Sequence, residues 1–203
     1  MHKKGLVVLA ILFFALIGCS EPPKKAKEPP KPAEPVGGRY AFYQMYAAAR
    51  SWSQDIETLK LTSINLPTVK DVEGKSGAWQ VIFVSPSKGR SKSYTYSVIE
   101  GEGNLHKGVF AGHEESWSGP RGTTKPFIVA AFKEDSDLAY KIAVGKSEAY
   151  MKKNPDMQIT YLLELTTRFP NPAWRVVWGD SVSHSSYSIL VDASTGQYLE
   201  TLH

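Results

Sequence analysis

The side chains of this chain that could carry out chemistry are few, and histidine is the first type to consider. The main group of potential metal ligands is His113-Glu114-Glu115, which His106 could join from nearby. The group lacks the second histidine of the HExxH zinc motif and the helix that presents that motif. We therefore predict a solvated acidic segment and no metal site, and we keep His113 as a candidate contact to a partner.

Nucleophilic catalysis has equally little support. Ser183-His184-Ser185 brings a serine next to a histidine, but no acid can be assigned to them. The chain has no Gly-x-Ser-x-Gly elbow, no glycine-rich phosphate loop leading into a helix and no defensible carboxylate pair of the glycosidase type. The sequence therefore predicts a protein that is not an enzyme and needs no cofactor.

The single cysteine, Cys19, follows a short positive start and an apolar run over residues 6–17. About a dozen apolar residues are too few for a membrane span, which needs ~20, but they suit a secretory signal. The run ends in Leu16-Ile17-Gly18-Cys19, which resembles the lipobox of bacterial lipoproteins. The resemblance implies that residues 1–18 are a signal peptide, that Cys19 receives a diacylglycerol, and that the new amino group is acylated.

The predicted location is the bacterial cell envelope, because two or more acyl chains hold a protein stably on a membrane. Ser20 follows the cysteine, where aspartate would favour the inner membrane in the usual sorting pattern. Ser20 therefore favours the outer membrane, facing the periplasm, in an organism with two membranes. Residues 19–38 contain six prolines and seven charged residues, which is typical of an extended tether.

The composition and charge of the chain argue against nucleic acid as a partner. The 203 residues are 42% hydrophobic and 22% charged, with a net charge of +4, as in an ordinary globular protein. Residues 39–203 hold 18 basic and 17 acidic side chains, so the predicted folded part has no strong field to attract nucleic acid. One cysteine excludes an internal disulfide framework.

Residues 39–203 contain two pairs of similar segments. Trp79-Gln-Val-Ile-Phe resembles Trp174-Arg-Val-Val-Trp, and Tyr96-Ser-Val-Ile resembles Tyr187-Ser-Ile-Leu, at offsets of 95 and 91 residues. A helix-like stretch precedes each pair. We therefore predict an α+β fold of two tandem modules, 39–110 and 127–203, each an amphipathic helix packed on an antiparallel β-sheet, joined by a loop over 111–126.

The elements follow from periodicity. In the first module, a helical stripe runs from Phe42 through Trp52 to Leu59, and strands are predicted over 61–66, 78–84 and 94–99. In the second, Ser136 is the predicted N-cap of a helix that ends at Asn154-Pro155. Strands then follow over 157–165, 174–178, 186–191 and 197–202.

Residues 137–202 resemble a PepSY domain. The resemblance depends on the helix, the strand beginning at Trp174, and the ending Asp192-Ala-Ser-Thr195-Gly196. In that ending, the aspartate should accept hydrogen bonds from backbone amides of the turn and Gly196 should take a positive φ. The first module departs from the pattern, with Glu100-Gly-Glu-Gly-Asn104 where the motif should be, and is therefore a diverged copy.

PepSY domains occur in propeptides of thermolysin-type peptidases and in secreted or membrane-attached bacterial proteins. The resemblance implies a lipoprotein that binds a protein or peptide partner and modulates a secreted peptidase. The alternatives are a non-enzymatic envelope scaffold or assembly lipoprotein and a small-ligand carrier with a pocket between sheet and helix. The oligomeric state stays open.

The tryptophans divide into two groups. Trp79, Trp174 and Trp178 fall on predicted strands, so we expect them in the core. Trp117 lies in the predicted polar loop, where it is either an anchor for a partner or a cover over the junction of the two modules.

Overall fold

The structure used for this chain is a computed structural model that describes residues 32–203. Cys19, the lipobox and residues 19–31 of the predicted tether lie outside the described residues, and the predictions made on them stay predictions. The predicted end of the tether at residue 38 is wrong, because Val36–Gly37 is a strand and a helix begins at Gly38. Among the residues that the structure describes, no helix is both long enough and apolar enough to span a membrane.

Two helices and eleven strands make up the described chain, together with one 3-10 turn, Val129–Ala131. The first half contains β1 (Val36–Gly37), α1 (Gly38–Ala49), β2 (Glu57–Ile64), β3 (Lys75–Ser76), β4 (Ala78–Ser85), β5 (Arg90–Ser97) and β6 (Gly108–Ser116). The second half contains β7 (Thr124–Lys125), α2 (Ser136–Lys153), β8 (Ile159–Thr166), β9 (Ala173–Trp178), β10 (Ser188–Asp192) and β11 (Tyr198–Leu202).

One large antiparallel sheet runs through both halves, in the order β11-β10-β9-β8-β2-β4-β5-β6. The halves join where β2 pairs with β8, with Lys60 opposite Glu164 and Thr62 opposite Leu162. The short strand β7 lies alongside the end of β8, and β1 pairs with β3 in a separate ribbon. The predicted α+β class is confirmed as two helices packed on a large antiparallel sheet. Residues 32–203 form one compact unit.

The core lies between the helices and one face of this sheet. α1 buries Ala41, Phe42, Met45 and Ala49 against it, and Trp79 and Trp174 are fully buried at its centre with ring centroids 6.1 Å apart. Trp178 is also buried. Burial of these large rings provides much of the hydrophobic stabilisation, and the prediction that the three strand tryptophans are core residues is confirmed.

Each central tryptophan also donates a hydrogen bond to the segment that leads into a helix. The indole N–H of Trp79 donates to the carbonyl of Val36 at 3.0 Å, and that of Trp174 donates to the carbonyl of Glu134 at 2.9 Å. Both acceptors lie two residues before the first residue of a helix. The buried indole donors are therefore paired, as burial requires.

The N-termini of the two helices meet. The backbone N–H of Gly38 donates to Ser136 Oγ at 2.8 Å, and that of Arg39 donates to Asp135 Oδ1 at 2.8 Å. The predicted N-cap, Ser136, is instead the first residue of α2, and Asp135 is the N-cap. The prediction was wrong by one residue because the Ser136 hydroxyl serves the N-terminus of the other helix.

α1 is shorter than its apolar stripe predicts. It ends at Ala49, so Trp52 lies in a turn and Leu59 lies in β2. Asp55 explains the early end, because its carboxylate accepts hydrogen bonds from Ser53 Oγ, Ser85 Oγ and the Ser87 N–H at 2.6–2.8 Å. These bonds tie the connection after α1 to the turn between β4 and β5, and this tertiary contact overrides the helical pattern.

The loop predicted over 111–126 is wrong in its first part. β6 extends to Ser116, so the predicted module boundary at residue 110 falls inside a strand. Because most side chains from residue 109 onward are exposed, this part of the sequence lacks the alternation of apolar and polar residues that predicts a strand. Backbone pairing with β5 holds β6 in place, with Glu114 opposite Lys92.

The similar segments that begin at Tyr96 and Tyr187 do not occupy equivalent positions in the sheet. Tyr96 lies opposite Trp79 across β4 and β5, whereas Val191 lies opposite Trp174 across β9 and β10. Tyr187 instead accepts a hydrogen bond at its carbonyl from the backbone N–H of Trp178. By this register Ser97, and not Glu100, occupies the place in the first half that Asp192 occupies in the second.

Candidate functional site

The turn that carries the family resemblance has the predicted geometry. Asp192 Oδ1 accepts hydrogen bonds from the backbone N–H groups of Ser194 at 2.7 Å and Thr195 at 2.9 Å, and Oδ2 accepts one from Asn171 Nδ2 at 3.0 Å. Gly196 has φ +72°, the left-handed conformation that favours glycine. The expectations for this turn are confirmed.

This turn also positions α2. The carbonyl of Ala193 accepts the N–H groups of Lys133 and Glu134 at 2.9 and 2.8 Å, and Ser194 Oγ donates to the carbonyl of Ala131. Glu134 is the residue whose carbonyl binds the Trp174 indole. Both Asp192 oxygens are occupied within the chain, so the role that its geometry supports is structural.

The acidic segment around His113 lies on the edge strand β6. Glu114 Oε1 accepts a hydrogen bond from the Trp52 indole N–H at 2.7 Å and lies 3.9 Å from Lys92 Nζ. His106 does not join this segment, because its Nδ1 lies 2.6 Å from Glu100 Oε1. Within residues 32–203 no group of three His, Cys, Asp or Glu side chains could hold a metal ion. His113 is exposed, and its role as a partner contact stays a prediction.

Ser183-His184-Ser185 lies in an exposed loop in which Asp180, four residues before the histidine, lies beside its ring. His184 Nδ1 lies 3.1 Å from Ser181 Oγ and 3.5 Å from Asp180 Oδ1. In a catalytic triad the acid and the serine contact opposite ring nitrogens. Here both contact Nδ1, so this arrangement does not form a proton relay from serine through histidine to aspartate.

A groove lies on the face of the sheet that the helices leave uncovered. We call it the open-face groove; its volume is about 600 Å³ and its apolar lining is Leu59, Ile82, Leu162 and Val182. The groove crosses the β2–β8 seam and is bounded at one end by the loop over residues 180–183. Apolar surface that a monomer leaves uncovered in a concave site is typical of a binding site.

Charged groups border this apolar floor. Lys60 and Glu164 lie opposite each other across the seam, and Glu164 Oε2 accepts a hydrogen bond from Thr124 Oγ1 at 3.1 Å. Arg175 is the cross-strand neighbour of Leu162 and donates to Ser188 Oγ at 2.9 Å. Burial lowers the pKa of the Arg175 guanidinium. Charges of both signs therefore lie beside the groove.

Trp117 lines a smaller recess that continues the groove. This Trp117 recess has a volume of about 200 Å³ and shares Leu59 and Thr124 with the open-face groove. Its other lining residues include Ser91 and Arg121. Trp117 is half-buried, and its backbone N–H donates to the carbonyl of Gly89 at 2.9 Å. The aromatic ring thus borders the same open face as the groove.

The apolar groove residues were missed at the level of the sequence. Leu59 was assigned to a helix, and Ile82 and Leu162 were expected only as members of strands. Ile82 and Leu162 lie between residues of the core face, so a strand that is apolar on both of its faces was the available signal. That signal does not distinguish a strand covered on both faces from one that carries a binding groove.

The predicted site residues do not form one site. Asp192 and Gly196 lie at the β10–β11 end of the sheet, whereas His113 lies on β6 at the opposite edge and Trp117 directly follows it. Comparison of the chain with protein-family models, curated proteins and solved structures gave no match. The PepSY resemblance therefore depends only on the residues quoted for it.

Proposed function

We propose that this protein binds an extended segment of a protein partner along the open-face groove and the Trp117 recess. The observation that carries the proposal is the apolar floor of the groove, which is about 600 Å³ in volume and lies on a sheet face that neither α1 nor α2 covers. A partner that laid apolar side chains on Leu59, Ile82 and Leu162 would remove this surface from water, which favours association.

The surroundings of the groove support a segment in preference to a small apolar ligand. The groove is open to solvent and continues into the Trp117 recess through Leu59 and Thr124. Tryptophan is one of the residue types enriched among the residues that contribute most to binding at protein interfaces, and Trp117 is half-buried in this recess. Lys60 and Glu164 provide charges of both signs at the floor, which would orient the segment.

We propose further that the protein acts at a membrane of the bacterial cell envelope, held by lipid on Cys19. The support is the positive start, the short apolar run and the lipobox-like sequence. Labelling cells with an alkyne fatty acid tests this part. Incorporation into the wild-type protein but not into the Cys19→Ser variant is the expected result.

We also propose that the folded part arose from two copies of one unit, a helix followed by four antiparallel strands. Each helix is followed by strands that neighbour one another in chain order, β2-β4-β5-β6 and β8-β9-β10-β11. The matching indole-to-carbonyl bonds of Trp79 and Trp174 support the same relation. In this view the groove lies where the first strands of the two copies pair.

Site-specific crosslinking tests the binding surface. A photoreactive residue at position 162 is compared with one at Val72, which is exposed and does not line the groove, in the full-length protein in its native envelope. We expect a partner crosslinked from position 162 and not from position 72. Equal crosslinking from both positions, or none from position 162, would contradict the proposal.

A matched pair of substitutions measures the energetics. Leu162→Glu puts a charge on the groove floor, and Val72→Glu puts the same charge on an exposed position elsewhere. We expect Leu162→Glu to weaken binding of the crosslinked partner at least about tenfold and Trp117→Ala to weaken it less, while Val72→Glu binds as the wild type does. A secreted peptidase as the partner would support the PepSY resemblance, and an assembly protein would support the scaffold alternative.

A further inference from the structure

The large sheet ends in two edge strands, β6 and β11, which are protected to different degrees. Within residues 32–203 each of them pairs with another strand on one side only. The outer side of an edge strand presents backbone N–H and C=O groups that can pair with another chain. Proteins limit such pairing with short strands, bulges, prolines and charged side chains that point inward. An edge strand that lacks these protections is a place where a further strand can be added.

β11 has these protections along its whole length. It contains five residues, and a bulge interrupts its pairing with β10 between Leu190 and Val191. Glu200, at the centre of the strand, has a largely buried side chain whose Oε2 lies 2.7 Å from Arg168 Nη2. Addition of a strand would have to accommodate both the bulge and this ion pair. β11 is therefore a poor edge for a partner strand.

β6 has such protection only in its second part. It contains nine residues, and the bulge in its pairing with β5 comes after Ala111. Glu114 and Glu115 also lie in this second part. Residues 108–111 precede the bulge and contain no charged residue and no proline. The first part of β6 is therefore an unprotected edge.

The side chains beside this unprotected part are exposed and apolar. Val109 is 37% exposed and lies opposite Tyr96 of β5. The Tyr96 ring contacts the ring of Tyr40 on α1, with centroids 5.8 Å apart, and Tyr40 is 52% exposed. Exposed apolar side chains therefore lie next to unpaired backbone groups, and a strand added to β6 would cover both.

The sequence of this part is compatible with pairing to a second copy of itself. In a two-fold antiparallel pair, the residue on the axis faces its own counterpart, and opposite side chains share one face of the sheet. An axis at Phe110 places Phe110 opposite Phe110, and Val109 opposite Ala111 on either side. These pairs contain no charge, and aromatic and β-branched cross-strand pairs are stabilising. An axis at Ala111 or beyond would extend the pairing into the bulge.

Electrostatics favour a second copy over a strongly charged partner. Residues 39–203 hold 18 basic and 17 acidic side chains, so two copies do not repel each other strongly. The carboxylate of Glu114 is bound within its own chain, since its Oε1 lies 3.9 Å from Lys92 Nζ and accepts the Trp52 indole N–H. The edge therefore presents an uncharged segment followed by a carboxylate that already has partners.

We propose that two copies of this protein pair through residues 109–111 of β6, with Phe110 on the two-fold axis, and form one continuous antiparallel sheet. Because this axis is perpendicular to the sheet, the α1 helices of both copies lie on one face and both open-face grooves lie on the other. β6 contributes no residue to the open-face groove. The proposal therefore does not depend on the proposed function.

Sedimentation equilibrium tests the association, on the protein from residue 32 onward, which forms one compact unit. We expect a concentration-dependent dimer that Val109→Lys weakens at least about tenfold, because lysine on an edge strand opposes the addition of a strand. Val72→Lys places the same charge on an exposed valine outside β6 and should dimerise as the wild type does. Both variants should keep the wild-type Tm, because both side chains are exposed.

A pair of cysteine variants tests the register. Residues 32–203 contain no cysteine, so each introduced thiol is the only one in its chain. Opposite residues of an antiparallel pair have Cα atoms about 4.5–5.5 Å apart, which suits a disulfide. We expect a mixture of Val109→Cys and Ala111→Cys proteins to form disulfide-linked dimers under mild oxidation. Each variant alone should link more slowly, because its two thiols are out of register by two residues.

Several results would overturn the proposal. These are a protein that stays monomeric at ~1 mM, dimerisation that Val109→Lys leaves unchanged, and crosslinking that is equally fast in the single variants and in the mixture. Hydrogen exchange identifies the alternative occupant. If the amides of residues 108–112 become protected only when the crosslinked groove partner is added, β6 pairs with a strand of that partner and not with a second copy.

Discussion

Each half of the sheet follows a helix in the chain, but the two halves differ in how these helices are held. In the second half, the short turn after β10 is closed by Asp192 and binds the chain leading into α2 through the Ala193 carbonyl. In the first half, the chain leading into α1 is held by the β1–β3 ribbon, and the N-terminus of α1 is held by Asp135 and Ser136. The second half therefore contributes hydrogen bonds at the N-termini of both helices, whereas the ribbon of the first half holds only the chain before α1.

The largest test of this comparison removes the central tryptophans. Trp79→Ala and Trp174→Ala should each cost about 3–5 kcal/mol of unfolding free energy, because a fully buried ring and an indole hydrogen bond are lost. Urea unfolding of the protein from residue 32 measures this. Since the two rings are in contact, the losses should not add in the double variant. Additive losses would mean that the halves have separate cores.

The second test compares the two corresponding turns. Asp192→Ala leaves the N–H groups of Ser194 and Thr195 without their acceptor and should cost about 1–3 kcal/mol. Ser97→Ala at the corresponding place loses a hydroxyl that donates to the Ile99 carbonyl, and should cost about 0.5–1.5 kcal/mol. Thermal unfolding of the two variants shows which of them loses more stability. An equal or larger loss in Ser97→Ala would refute the asymmetry between the halves.

The third test uses one glycine from each helix. A Cβ at Gly38 would lie 2.7 Å from the Trp174 ring and 3.0 Å from the Trp79 ring, so Gly38→Ala should cost about 1–3 kcal/mol through overpacking. Gly145 lies inside α2 with open space around it, so Gly145→Ala should stabilise the protein by about 0.5–1 kcal/mol. Differential scanning calorimetry measures both. Stabilisation by Gly38→Ala would show that the meeting point of the helices is loosely packed.

The smallest effect concerns the connections that follow the helices. Hydrogen bonds from Ser53, Ser85 and Ser87 hold the pKa of Asp55 well below its usual value. The connection after α2 is closed by Asn154, whose neutral side chain donates to the Tyr150 carbonyl at 3.0 Å. A lowered pKa contributes stability above the ordinary aspartate pKa of 3.8, and this contribution is lost as the pH falls below that value towards the folded-state pKa.

The measurement is the unfolding free energy at pH 5 and at pH 3, for the wild type and Asp55→Asn. We expect the variant to lose less stability on acidification than the wild type, by a small amount because the carboxylate is largely exposed to solvent. Asn154→Ala serves as the matched change in the second half and should leave the pH dependence unaltered. Identical acid sensitivity of wild type and Asp55→Asn would remove Asp55 from this role.

Much of the fold could be predicted from short-range patterns. The strands beginning near Trp79 and Trp174 follow from alternation, α2 ends at Asn154 next to Pro155, and the turn at Asp192 and Gly196 has its predicted geometry. The candidate binding surfaces could not be predicted in this way. Leu59 carried a helical pattern that the Asp55 contacts overrode, and Ile82 and Leu162 share one groove only because β2 of one half pairs with β8 of the other.

The sequence by itself determined which segments become helix or strand where the pattern is strong, where the buried tryptophans lie, and how the Asp192 turn closes. These features follow from short-range patterns, because the alternation along each strand marks the tryptophans for burial and the Asp192 turn is closed by residues next to it in the chain. Only the tertiary structure decided that β2 pairs with β8, that Ser136 holds the N-terminus of α1, and that β6 is a strand. It also created the open-face groove, because long-range strand pairing brings its lining residues together.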